Sequence, residues 1–137
     1  MVPELLLDAW PILEWLKGRE PSSSAFRKIV EAGVAGLTML SMSRINYGEV
    51  VYSVRKSFPS DRVEAALNAF REIPILLYSV DDALVDEAAA LKALHSISYT
   101  DAFAAALAMR RKLPLVTGDP ELLPLALLGL QLHWIGK

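Results

Sequence analysis

Four acidic residues are placed so that they could do chemistry together: Asp8, Glu49, Asp101 and Asp119. Asp8 directly follows the apolar run Glu4–Leu7, and Asp119 directly follows Leu115–Thr117. Between Asp101 and Asp119 lies an Ala-rich helical stretch and then a short strand. About eleven helical residues at ~1.5 Å each carry the chain ~16 Å away, and about five strand residues at ~3.3 Å bring it back. Asp101 and Asp119 should therefore share one edge. Grouped carboxylates raise one another's pKa, and a divalent cation relieves that repulsion. Clustered carboxylate oxygens suit hard Mg²⁺ or Mn²⁺. Such ions lower the pKa of a bound water, orient a phosphodiester and offset charge on the leaving oxygen. Two histidines and no cysteine leave little with which to build a zinc site. The constellation points to metal-dependent phosphoryl chemistry.

Each acid also has a plain structural role open to it. Asp101 at a helix start is favoured by the macrodipole. Asp119-Pro120 reads as an N-cap followed by proline at the first helical position. Asp8 could cap the next helix, although Trp10-Pro11 continues it awkwardly, and Glu49 could be a solvated residue near Ser53 and Lys56. Capping, however, does not require all four to share an edge.

The elements that must position them follow from pattern. Glu4–Leu7 reads as a buried strand, about Pro11–Lys17 as a helix closed by Gly18, and about Ser24–Ala32 as a second helix closed by Gly33 and Gly36. Leu37–Met42 suits a second strand. A helix capped by Ser43 or Asn46 runs to about Lys56, with Tyr47, Val50, Val51, Val54 and Phe58 on its apolar face and Glu49 on the other side. Ser60–Arg71 is a fourth helix, Ile73–Val80 a strand weakened by Pro74, and Asp81–Leu94 a helix in which Asp81 and Asp82 act as helix-start residues only. The stretch Ser98–Glu121 supplies a helix from Thr100–Asp101, a basic end at Arg110–Lys112 and the strand Leu113–Thr117. A loose turn at Pro120–Pro124 leads to a last strand, Leu130–Ile135. Strands alternating with helices predict a three-layer α/β/α sandwich around a mostly parallel sheet. Ligands in such sheets sit beyond the carboxyl ends of the strands, where the acids gather.

Composition bounds the rest. At 137 residues the chain is read as one domain, large enough to bury about two-thirds of its unfolded surface. Hydrophobic residues make up 53% and charged ones 22%, which excludes disorder. The apolar excess suggests buried parallel strands and a subunit or partner interface, with a homodimer expected. A formal charge of −2 gives no general attraction for nucleic acid, so binding would need a local basic patch or a metal that reverses an acidic one. No apolar run is long enough for a membrane span or a signal peptide, so a cytoplasmic protein is expected.

The order Leu-Leu-Leu-Asp8, Asn46-Tyr-Gly-Glu49-Val, Tyr99-Thr-Asp101-Ala-Phe-Ala-Ala-Ala-Leu-Ala and Leu115-Val-Thr-Gly-Asp119 resembles the PIN-domain ribonucleases, above all the VapC toxins of toxin–antitoxin pairs. The resemblance implies Mg²⁺ or Mn²⁺ dependence, endonucleolytic cleavage of RNA and inhibition by a cognate VapB-type antitoxin. It carries the family's acidic quartet onto Asp8, Glu49, Asp101 and Asp119, with Thr117 as the supporting hydroxyl. The family often has Ser or Thr after its first Asp; here Ala9 and Trp10 follow, which thins the polar surroundings of Asp8. Two other readings compete. A receiver-like phosphoacceptor module would need an acid pair in one loop and a lysine after the last strand, and neither is present. A PIN-like scaffold that no longer cuts would not need the full quartet.

Other residues carry less. Arg44, just after the second strand, is the better placed of the cations for phosphate, whereas Arg110–Lys112 suits a helix C-terminus on the far edge. Trp10 could stack on a base, although packing is the commoner role for a tryptophan; Trp15 fits a packing stripe with Ile12 and Leu16. His95 and His133 show no partner spacing. Glu121, two residues after Asp119, is a lesser candidate for the metal shell.

Overall fold

The computed structural model describes residues 1–137. Five strands, β1 Glu4–Leu7, β2 Met39–Ser43, β3 Ile75–Tyr78, β4 Leu115–Thr117 and β5 Leu132–Trp134, form one sheet in the order β3-β2-β1-β4-β5. Every neighbouring pair is parallel. The chain thus builds outward from β1 in one direction, then returns to build β4 and β5 on its other side. The reversal leaves a crevice beyond the carboxyl ends of β1 and β4, the place where open α/β sheets bind ligands.

Six helices cover the sheet: α1 Ala9–Lys17, α2 Ser22–Val34, α3 Arg44–Ser57, α4 Val63–Arg71, α5 Asp82–Leu94 and α6 Tyr99–Arg111. Strand alternation divides the core in two. Leu6 of β1 and Leu115 of β4 join Leu84, Ala88 and the apolar residues of α6 on one face. Leu7 and Val116, one residue further along each strand, join Ile12, Phe26, Val50, Val54, Leu67 and Phe70 from α1 to α4 on the other. The three-layer α/β/α expectation holds, with a sheet that is wholly parallel. No helix is long and apolar enough to cross a membrane.

Several boundaries differ from the sequence reading, each for a local reason. α2 runs on through Gly33 to Val34; Gly33 is not a stop but a point of close packing, where a Cβ would meet the Leu40 side chain at 2.7 Å. β3 begins at Ile75, since Pro74 has no N–H to give to a ladder. β4 begins at Leu115, not Leu113: Lys112 closes α6 in the left-handed region at φ 56°, and Pro114 follows it. Pro120–Leu128 is a 3₁₀ helix and not a loose turn; Asp119 caps it and Gly129, at φ 101°, ends it. Asp81 does more than start α5. It accepts from Leu84 N at 2.7 Å and pairs with Arg110, which also reaches Glu87, so α5 and α6 are tied together.

Candidate metal centre

Each acid reaches the crevice by a different local device. Asp8 is the first residue past β1, fully buried, with backbone angles of an N-cap but no capping hydrogen bond from its side chain. Its Oδ2 instead accepts from Thr117 Oγ1 at 2.8 Å, across the β1–β4 pair. Its Oδ1 is buried with no partner. Thr117 in turn accepts from Asp119 N at 3.1 Å, so one buried hydroxyl fixes both the first acid and the loop that carries the last. Asp119 Oδ1 caps the following helix through Glu121 N at 3.0 Å.

Asp101 lies in the first turn of α6, where Ser98 and not Asp101 is the cap: Ser98 Oγ accepts from Asp101 N at 3.1 Å. The Asp101 carboxylate is therefore not used as the cap, although the residue is only 5% exposed. α6 begins at this edge because its Ala-rich body, buried from Ala102 to Ala108, packs close to β1 and β4. Glu49 comes from the second turn of α3, and its Oε1 is buried without a partner. Asn46 anchors that helix. Its Oδ1 accepts from Ser43 Oγ at 2.6 Å and its Nδ2 donates to Thr100 O at 3.1 Å, fastening the start of α3 to the start of α6.

The electrostatics follow from this packing. Burial pushes the Asp8 carboxyl up to about 7 against the pull of Thr117, with Glu49 and Asp119 adding repulsion. Asp101 rises to about 8, first through burial and then through Asp8, Asp119 and Glu49. Glu49 is raised as well, mainly by burial, while Thr100 and Asn46 oppose the shift. All four acids therefore act on one another. Carboxylate oxygens of Asp101, Asp119 and Glu121 lie within 4.8 Å of one another, so Glu121 is better placed than its sequence position suggested.

The donors are all oxygen, two of the carboxylates hold a buried and unpartnered oxygen, and only cations or protons would neutralise them. A hard divalent ion fits this set. Asn46, read from the sequence as a possible helix cap, instead links the two helix starts while Ser43 takes the capping role; a buried side chain joining two helix starts leaves no signal in the periodicity of either helix. Trp10 lies against the Gly118 backbone, and Trp15 packs edge-on against Phe26 at 5.8 Å, so both have packing roles. Arg44 is exposed at the start of α3.

Residues 5–126 match the PIN domain family. The fold is similar to that of DNA-bound VapBC from Salmonella typhimurium, with a TM-score of 0.71 at 18% identity over 97% of this chain and 98% of that one. It is also similar to VapC20 of Mycobacterium tuberculosis, a sarcin–ricin-loop-cleaving toxin, with a TM-score of 0.67 at 12% identity over 84% and 89%. A third likeness is to VapBC-1 of nontypeable Haemophilus influenzae, with a TM-score of 0.66 at 20% identity over 96% and 97%. No curated protein sequence matches the chain.

Proposed function

The chain belongs to the PIN domain family, and we propose that it is a Mg²⁺- or Mn²⁺-dependent endoribonuclease, the toxin of a VapBC-type pair. In this reading residues 1–137 act as a single PIN-like domain. The observation that carries the chemistry is the group of four mutually repelling acids at the sheet's switch point, two of them with buried, unpartnered oxygens. Asp8, Asp101 and Asp119 would hold the ion, with Glu49 as fourth ligand or as the base that positions water. When bound, such an ion acidifies water and offsets the negative charge that develops on phosphate oxygens. Thr117 holds Asp8 at a fixed angle through its hydroxyl. The raised basicity of Glu49 suits it to take a proton from an attacking water.

The toxin reading rests on the VapBC neighbours, whose folds match over nearly the whole of this chain. A cognate VapB-type antitoxin is the partner expected from them. Apolar surface supports a protein partner or a homodimer: exposed Leu94 and Leu128 line a groove of about 500 Å³ between α5, α6 and the end of the 3₁₀ helix. The test is Asp101→Ala assayed on RNA with Mn²⁺. Cleavage should be abolished while the circular dichroism spectrum stays that of the parent. Equal cleavage by variant and parent would refute the assignment.

A further inference from the structure

A basic pocket of about 280 Å³ opens where the end of α1 meets the turn between α3 and α4. Lys17, Arg19 and Arg62 line it, together with apolar Leu16, Phe58 and Pro59. No carboxylate stands in its wall. We infer that this pocket holds a backbone phosphate of the RNA strand, apart from the metal centre, and so fixes the path of the strand across the protein. The inference rests on the ribonuclease reading for its ligand, but not for its geometry.

Three observations carry it. The first is that the cations converge from separate segments, α1, its link to α2, and the 3₁₀ turn Ser60–Arg62, and that two of them serve no acid of the chain. Ion pairs join Arg19 to Glu14, Arg55 to Glu64, and Arg110 to Asp81 and Glu87; Lys17 and Arg62 have none. Arg19 is partly neutralised by Glu14 at 3.8 Å, so the pull of the pocket comes mainly from Lys17 and Arg62. Asp61, beside Arg62 in sequence, is not in the wall. Secondly, the helix dipole accounts for one of these charges and not the other. Lys17 ends α1, where a cation is favoured, but Arg62 stands at the start of α4, where it is disfavoured. An exposed, unpaired guanidinium at such a place suits an anion from outside. Thirdly, Arg19 also lines a cavity of about 490 Å³ whose wall holds Gly118 and Pro120, on either side of Asp119. The pocket therefore adjoins a route to the acids.

That connecting cavity is electrically balanced, with Glu14 and Glu20 against Arg19 and Lys137, so it neither draws nor repels the strand. The attraction lies in the pocket beyond it. Guanidinium and ammonium groups are both good phosphate donors, the one a planar fork and the other a point charge. In a chain of net charge −2 with an acidic crevice, a local patch of this kind is what a polyanion needs. An acidic side chain of a protein partner would bring the same charge, but the wall shared through Arg19 favours a ligand that must also reach the acids. A phosphate contact positions a strand without reading its bases. The pocket therefore sets where RNA lies, and not which RNA is chosen.

The test measures binding in EDTA, without metal and without cleavage. Fluorescence anisotropy of end-labelled oligo(A) and oligo(U) would be followed at several salt concentrations. Each phosphate contact to a single strand contributes about 0.7 to the slope of log affinity against log salt. Lys17→Gln with Arg62→Gln should therefore flatten the slope by about 1.4 and weaken binding by about 20- to 30-fold at ~0.1 M salt. The loss should be the same for both oligonucleotides. Arg62→Gln alone should flatten the slope by about 0.7, and Arg62→Lys should restore it. The charge-matched control Lys28→Gln with Lys92→Gln, at exposed positions on α2 and α5, should leave the slope as in the parent. No RNA binding by the parent, an unchanged slope in the first double variant, or an equal change in the control would overturn the proposal. So would a hexaglutamate peptide that binds the parent and not the double variant while RNA binding is unaltered, since the pocket would then seat a protein side chain. Failure of the ribonuclease reading appears elsewhere, in RNA cleavage that survives Asp101→Ala, and would leave these slopes untouched.

Discussion

Thr117 shows how much a single hydroxyl does at this site. It donates to Asp8 Oδ2 and accepts from Asp119 N, so its one O–H and one lone pair join the two strand-end acids across β1 and β4. Thr117→Val keeps the volume and removes both bonds. Asp8 would then be a fully buried carboxylate without its side-chain donor, more strongly driven to hold a proton. Mn²⁺ affinity measured by calorimetry should fall by about 10–100-fold, the usual effect of losing a hydrogen bond that orients a ligand. An affinity equal to the parent's would show that Asp8 needs no such orientation. The hydroxyl was legible in the sequence only through the motif that contains it. Its bonding to both acids depends on the pairing of β1 with β4, which no local pattern encodes.

The elements bring the acids together by their ends and leave their bodies to packing. Gly118 is the tightest point: besides its contact with Trp10, a Cβ there would stand 2.8 Å from Gly136 Cα, so the loop before Asp119 passes between an indole and a neighbouring backbone. Gly118→Ala should cost about 1–3 kcal/mol in chemical denaturation, the usual range for overpacking, and should weaken Mn²⁺ binding by displacing Asp119. An unchanged midpoint would mean that the loop yields freely. The order of elements along the chain, the helix number and the shared edge of Asp8, Asp101 and Asp119 could all be argued from the sequence, because strands alternating with helices put their connections on a parallel sheet. Element ends could not. The start of β4 is set by a left-handed Lys112, and the 3₁₀ helix after Asp119 survives a proline at its centre through its cap and the burial of Leu122 and Leu125. Those are tertiary compensations. Glu121 was undervalued for the same reason: a turn reading gives its carboxylate no direction, whereas the capped helix sets it beside Asp101.

At the scale of the whole molecule, the fold concentrates negative charge where the sheet reverses direction, and the apo protein must bear that cost. In the unfolded chain Asp8 and Asp101 would titrate near 3.8; folded, burial and mutual repulsion raise them to about 7 and about 8. Raised folded-state values mean that the folded protein binds protons which the unfolded chain has released. The contribution of these groups to stability is therefore fully present below pH ~4 and is lost as the pH rises through 7 to 8. Carboxyls held low, such as Glu20 and Asp81, change stability only under acid conditions and do not contribute in that window. In EDTA, the melting temperature should fall by about 5–10 °C between pH 6 and pH 8.5, corresponding to a loss of about 2–3 kcal/mol for a chain of this size. A divalent ion binds the folded state and replaces the lost protons. At 100 times its dissociation constant it returns about 2.7 kcal/mol, so Mn²⁺ should flatten the profile, and more so at pH 8.5 than at pH 6. The double variant Asp8→Asn, Asp101→Asn removes the titrating groups. Its melting temperature in EDTA should be nearly independent of pH in this range and, at pH 8.5, higher than the parent's, even though it can no longer hold the ion. A parent profile that rises with pH, or a double variant that melts below the parent at pH 8.5, would mean that the acids are accommodated without strain and that the crevice is not built around a cation.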